Sequence, residues 1–167
     1  QHNKTPIQGQ VRVMHSILKE IDTRLRELGT PSPEIYWTVE NNTLGEAAIV
    51  TVDEMGEDKF PGYFLHEPRK GGQQRSVRKG YNTTHKSKVT ACTKLKAWIE
   101  TDKITLLSKP LIRELKVYVA RGNSFQAKSG ENDDLISALL LVVRITDFLT
   151  RYDATMEESL GAKLDDD

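Results

Sequence analysis

The spacing of apolar residues predicts a layered α/β domain, with helices alternating with short strands around a mixed sheet. Three observations carry this. Apolar residues recur at Ile7, Val11, Met14, Leu18, Ile21, Leu25 and Leu28, the repeat of one helix face. A β-branched and aromatic run, Ile35-Tyr36-Trp37-Thr38-Val39, follows and reads as a buried strand. Residues 133–150 are apolar on almost every side, which requires cover on more than one face. With 167 residues the chain suits one domain, expected over 1–150, followed by an acidic, flexible tail over 151–167.

In chain order, Thr5 is expected to cap the first helix, with Pro6 at its first position and Gly29 ending it. Pro31 and Pro33 break the chain before the strand, and Glu40 lies at the strand's C-terminal end. Thr43 to Met55 carries both helical and strand signals and is read as helix, because Gly45, Ala47 and Ala48 permit close helix packing. Tyr63-Phe64-Leu65 reads as a short strand. A second amphipathic helix is expected over Ser87 to Glu100, burying Ala91, Leu95, Trp98 and Ile99, and a strand over Ile104 to Leu107. Ser108 and Pro110 start a third helix with Leu111, Leu115 and Tyr118 on one face. Arg121-Gly122-Asn123-Ser124 reads as a hairpin turn.

Composition narrows the class. Apolar residues at 37% and charged residues at 29% fit a globular protein. No apolar run reaches the roughly 18 residues that span a bilayer. The first residues lack the order of a secretory signal. A single cysteine, Cys92, cannot form an internal disulfide, so a reducing cytoplasm is expected. The chain contains no P-loop, dinucleotide glycine fingerprint, paired CxxC or nucleophile elbow. His66 and His85 have no partners at metal-ligand spacing.

Although 24 basic and 24 acidic residues cancel, their distribution is uneven. Arg69, Lys70, Arg75, Arg78, Lys79, Lys86 and Lys88 occupy a stretch without any acid, a pattern suited to neutralising phosphates. The bland alternative is a solvated loop. The acids of interest are Glu40, after the strand, and Asp133-Asp134, at the start of the apolar helix. An aspartate there is more often a helix cap, and a glutamate ending a strand more often a surface residue. Taken together, they are the oxygen donors that Mg²⁺ or Mn²⁺ requires, and a bound cation would relieve the repulsion within the aspartate pair.

These residues lie in segments that resemble a known family. Tyr36-Trp37-Thr38-Val39-Glu40-Asn41-Asn42-Thr43-Leu44-Gly45 resembles the second acidic motif of the nuclease domain of terminase large subunits from T-even-like tailed phages. Gly80-Tyr81-Asn82-Thr83-Thr84-His85-Lys86-Ser87-Lys88 is similar to that family's threonine-rich segment, with Lys88 at its characteristic lysine. Leu111 to Leu115 and Phe125-Gln126-Ala127-Lys128 resemble its Arg-Glu-Leu helix and hairpin. Gly130-Glu131-Asn132-Asp133-Asp134-Leu135 resembles its third acidic motif, with Asn132 where many relatives have histidine. The likeness runs in order from about Ile7 to Leu149. It implies an RNase H-like fold and a two-metal endonuclease that cuts concatemeric viral DNA during packaging. It further implies that Glu40 and one or both of Asp133 and Asp134 are catalytic metal ligands, with double-stranded DNA as substrate and the host cytoplasm, at the procapsid portal, as location. The portal and the small terminase subunit are implied partners.

The family's first catalytic aspartate, on the opening strand of its sheet, has no counterpart here, and Asp22 lies within a helix and does not replace it. The N-terminal strands are thus expected to be missing, leaving a sheet edge that pairs with an upstream fragment or with a second copy. Two alternatives stand beside this reading: a non-catalytic DNA- or portal-binding module with an incomplete metal site, and another RNase H-like nuclease of resolvase or integrase type.

Overall fold

The computed structural model describes residues 5–67 and 79–164, with side chains described through Asp153. Helix α1 covers Ile7–Glu27. Its N-cap is Pro6 rather than Thr5: Pro6 has ψ 148°, outside the helix, while its carbonyl accepts the Gln10 N–H at 3.1 Å. Thr5 is therefore one residue too early to cap. Val11 and Leu18 are buried, with Ile7, Met14 and Leu25 packed beside them, whereas Ile21 and Leu28 turn to solvent.

Strand β1, Tyr36–Trp37, pairs in parallel with β2, Tyr63–Phe64. The pairing extends beyond these residues. Tyr63 and Leu65 donate to the carbonyls of Ile35 and Trp37 at 2.7 and 2.8 Å, Tyr81 donates to Val39 at 3.0 Å, and Asn41 donates back to Tyr81 at 2.7 Å. Residues 35, 37, 39 and 41 present their backbone groups to one edge. A single extended segment thus bonds first to 63–65 and then, on the same edge, to Tyr81. The chain between these partners leaves through a closed neck, where Glu67 N–H donates to Gly80 O at 3.0 Å and Gly80 N–H to His66 Nδ1 at 3.1 Å.

Helix α2, Thr43–Met55, follows at once, capped by Asn42 Oδ1, which accepts the Gly45 N–H at 2.9 Å. The helical reading of this ambiguous run holds because the cap and burial of Ile49 and Val52 outweigh its β-branched content. One core joins Val11 and Leu18 of α1, Ile35 and Trp37, Val52 of α2, and Phe60. Trp37 stacks on Phe64 with centroids 4.3 Å apart and lies 5.5 Å from Phe60. Each fully buried large side chain of this kind contributes about 1.5–3 kcal/mol.

Contacts gather into two units, Gln1–Thr83 and Thr84–Asp167, where the sequence suggests one domain over 1–150. The second unit begins with α3, His85–Glu100, two residues earlier than its spacing suggests, because Thr84 and Ser87 form a reciprocal capping box. Ala91 and Leu95 are buried and Trp98 packs beside them, but Ile99 is turned to the exposed flank. The strand expected over Ile104 to Leu107 does not form. Ile104 packs against the core, Leu107 is exposed, and no strand lies alongside among the described residues.

Helix α4, Lys109–Val117, is capped by Ser108, and its Leu111 and Leu115 face the core with Tyr118, as expected. Tyr118–Arg121 (β3) and Ser124–Ala127 (β4) form an antiparallel hairpin around Gly122-Asn123. Helix α5, Asp134–Leu164, buries Ile136, Leu140 and Val143 and continues through most of the stretch expected to be a flexible tail. The described residues thus form a mixed α/β protein of five α-helices and two small sheets. The single mixed sheet of an RNase H-like fold is not formed among them. No helix among them is long and apolar enough to cross a membrane.

Gly45 is fixed by space. A Cβ there would lie 1.6 Å from the Glu40 carbonyl oxygen, a rigid backbone atom. Gly45→Ala is expected to lower stability by roughly 1–3 kcal/mol in urea denaturation. Gly9→Ala, inside α1 and facing only a Thr5 methyl at 3.1 Å, is expected to be neutral or stabilising, by up to about 1 kcal/mol. Equal effects from the two would remove the packing explanation.

Candidate functional site

Glu40 sits where the extended segment ends, in a parallel bridge with Tyr81. Its carboxylate is held by a neighbour whose orientation is itself fixed. Asn42 Nδ2 donates to Glu40 Oε2 at 2.9 Å, while the Oδ1 of the same amide caps α2. Gly45, which cannot carry a side chain, lets α2 start directly against the Glu40 backbone. Strand end, amide clamp and glycine together explain the spacing from Glu40 to Gly45. Asn41 completes the arrangement, donating from Nδ2 to the Lys79 carbonyl at 2.8 Å.

Asp133 and Asp134 open α5 in the second unit. The ordinary explanation for Asp133 is capping, which would require its carboxylate to accept the amides of the first turn. Another acid does so: Glu114 Oε2, from α4, accepts Leu135 N–H at 2.9 Å and Ile136 N–H at 3.2 Å. Asp133 instead lies 3.8 Å from Lys88 Nζ, with both side chains partly exposed. Lys88 comes from α3, and its ammonium sits 5.7 Å from the centre of the Tyr118 ring. Burial, then the Cys92 thiol beside it and Asp133, push the Tyr118 hydroxyl well above the usual phenol range. Tyr118 therefore stays neutral and gives Lys88 an aromatic face. Asp134 is exposed in the first turn of α5.

The structure brings Lys88 together with Asp133, and adds Glu114 as a residue the sequence reading did not single out. A carboxylate one helix away from the amides it caps leaves no local capping signature, so no spacing rule would find it. Beside it, Lys109, Arg113, Glu114, Val117, Glu131 and Asn132 line an open cleft of about 390 Å³. Glu40 belongs to the first unit, and Asp133 and Asp134 to the second. Within neither unit, among the described residues, do three acidic, histidine or cysteine side chains gather as a metal-ligand set.

Of the basic stretch, Arg69, Lys70, Arg75 and Arg78 lie outside the described residues. Lys86 is exposed in the first turn of α3. Lys79 is engaged by acids: Nζ donates to Asp53 Oδ1 and to Glu57 Oε2, both at 2.6 Å. The bonds to Asp53 and then Glu57 raise its ammonium above the ordinary lysine range.

No family model matches the chain, and no solved structure matches it.

Two outcomes follow from these contacts. Glu114→Gln keeps an acceptor oxygen, whereas Glu114→Ala leaves two amides uncapped, so the alanine variant should lose about 0.5–2 kcal/mol more in chemical denaturation. Equal stability would mean that water replaces the cap. For Lys79, the folded value is raised, so its contribution is fully present below the ordinary lysine value and disappears as pH rises through the raised one. Lys79→Met should be less stable than the parent at neutral pH, by an amount kept small by solvent exposure, and the gap should close only in strong alkali. Melting curves across that range would show it.

Proposed function

We propose that this chain is a metal-dependent DNA endonuclease domain of RNase H-like fold, of the kind found in the large subunit of phage terminases, where it cuts concatemeric viral DNA during packaging. The observation that carries the reading is the division of labour at the start of α5. Glu114 caps the helix, and Asp133 is left facing a lysine. An aspartate relieved of capping, followed by a second exposed aspartate, supplies the oxygen donors of a hard divalent cation. The order of the acidic and threonine-rich motifs along the chain supports the same family, and the parallel pairing of the segment that ends in Glu40 supports its fold.

By the resemblance to that family, Glu40 and one or both of Asp133 and Asp134 would hold Mg²⁺ or Mn²⁺, which would supply Lewis acidity for phosphodiester hydrolysis. The protein's own contribution is positional. Asn42 fixes the Glu40 carboxylate, Glu114 fixes the first turn of α5 from which Asp133 and Asp134 project, and Lys88 balances the charge of Asp133. Of the basic stretch, Arg69, Lys70, Arg75, Arg78 and Lys86 would contact phosphates independently of base sequence, since Lys79 and Lys88 are engaged by acids. In this reading the family's first catalytic aspartate, which has no counterpart in this sequence, is contributed by a further strand that pairs with the sheet.

Cleavage of supercoiled plasmid with Mn²⁺ tests the proposal, using this chain alone and joined to a strand that carries the family's first aspartate. Cleavage is expected in the extended form, with Glu40→Ala and Asp133→Asn each reducing it roughly 100-fold or more while salt-sensitive DNA binding persists. Cleavage indifferent to both substitutions would remove these acids from the mechanism. DNA binding without cleavage in either form would favour a non-catalytic binding module.

A further inference from the structure

Helix α1 carries a second apolar stripe in addition to the one that enters the core. Val13, Ile17 and Ile21 recur every four residues and remain 58%, 54% and 40% exposed. With Arg12, Ser16 and Glu20 beside them, they line a shallow groove of about 400 Å³. An isolated exposed isoleucine requires no explanation, but three aligned over two turns of one helix form a contiguous patch.

The charges beside the stripe identify what it fits. Arg12 and Glu20 are separated by eight residues, about 12 Å along the axis, with the neutral Ser16 midway. A partner must therefore offer an acid opposite Arg12, a small residue opposite Ser16 and a base opposite Glu20, along an apolar row of the same length. A second copy of α1 laid antiparallel meets all of these conditions. A two-fold axis near Ser16 and Ile17 sets Arg12 of each copy against Glu20 of the other, and Val13 against Ile21. A parallel copy would oppose like charges. Glu20 also bonds Arg24 of its own helix at 2.6 Å, but both side chains are well exposed and free to share a further partner.

We propose that α1 is a self-association surface, pairing antiparallel with α1 of a second copy through Val13, Ile17 and Ile21 and through reciprocal Arg12–Glu20 ion pairs. The surface is small beside a standard interface of roughly 800 Å² per partner, so the pairing is weak and depends on concentration. The inference stands apart from the proposed nuclease activity.

Sedimentation velocity over a wide concentration range tests it. A dimer fraction that grows with concentration is expected. Ile17→Glu should raise the dissociation constant roughly tenfold or more without lowering the melting temperature at low concentration, because the side chain is exposed. Arg12→Glu and Glu20→Arg should each weaken the dimer, and the double variant should restore it. In a Cys92→Ser background, R12C mixed with E20C should form a disulfide-linked dimer, while R12C alone should not. A monomer at every concentration would overturn the proposal, as would a dimer indifferent to Ile17→Glu. Loss of melting temperature in dilute Ile17→Glu would show instead that the stripe is covered within one chain. Additive rather than compensating charge reversals, or efficient crosslinking of R12C with itself, would rule out the antiparallel arrangement.

Discussion

The first unit depends on one short run of backbone, Ile35 to Asn41, whose carbonyls and amides along a single edge meet Tyr63, Leu65 and Tyr81. Buried peptide groups must be paired, so this run fixes where its neighbours can lie. On one face, the Ile35 and Trp37 side chains form the core with α1 and α2. At its end, Glu40 is turned out beside the capped start of α2. Two close approaches hold the line taut: a Cβ on Gly45 would strike the Glu40 carbonyl, and one on Gly80, at φ 75°, would lie 2.4 Å from that of Val39. Side chains at either position would push the strand away from its partners.

Much of this was readable from residue types. Four of the five helices were expected from an apolar repeat, and the fifth, Thr43–Met55, was read as helix on its small residues although it also carried strand signals. Ser108 caps α4 as expected, whereas the cap that Asn42 gives α2 was not singled out. The hairpin around Gly122-Asn123 was equally legible. The misses involve non-local information. Ile104 to Leu107 has strand composition, yet a strand needs a neighbour, and none of the described residues forms one beside it. Ile21, Leu28 and Ile99 fit a helical repeat but fall on the margin of the buried stripe, a margin that depends on which element packs there.

At the candidate site the legible part was the acids and the illegible part was their surroundings. Sequence placed Glu40 after a strand and Asp133-Asp134 at a helix start, and both placements hold. What an aspartate at such a position does depends on whether another group takes the helix amides. Here Glu114 takes them from α4, a competition between residues 21 and 22 positions away in the chain. The pairing of Lys88 with Asp133 likewise joins α3 to α5. Such contacts across elements turn acids along a chain into a set with distinct roles, and only the fold reveals the division.

The closed neck at Glu67 and Gly80 has an evolutionary corollary. Because the two ends of the excursion are bonded to each other and to the strand line, residues can be inserted, deleted or exchanged between them while the register of Trp37, Val39 and Glu40 is preserved. Selection can therefore act on the sequence between those two positions separately from the scaffold.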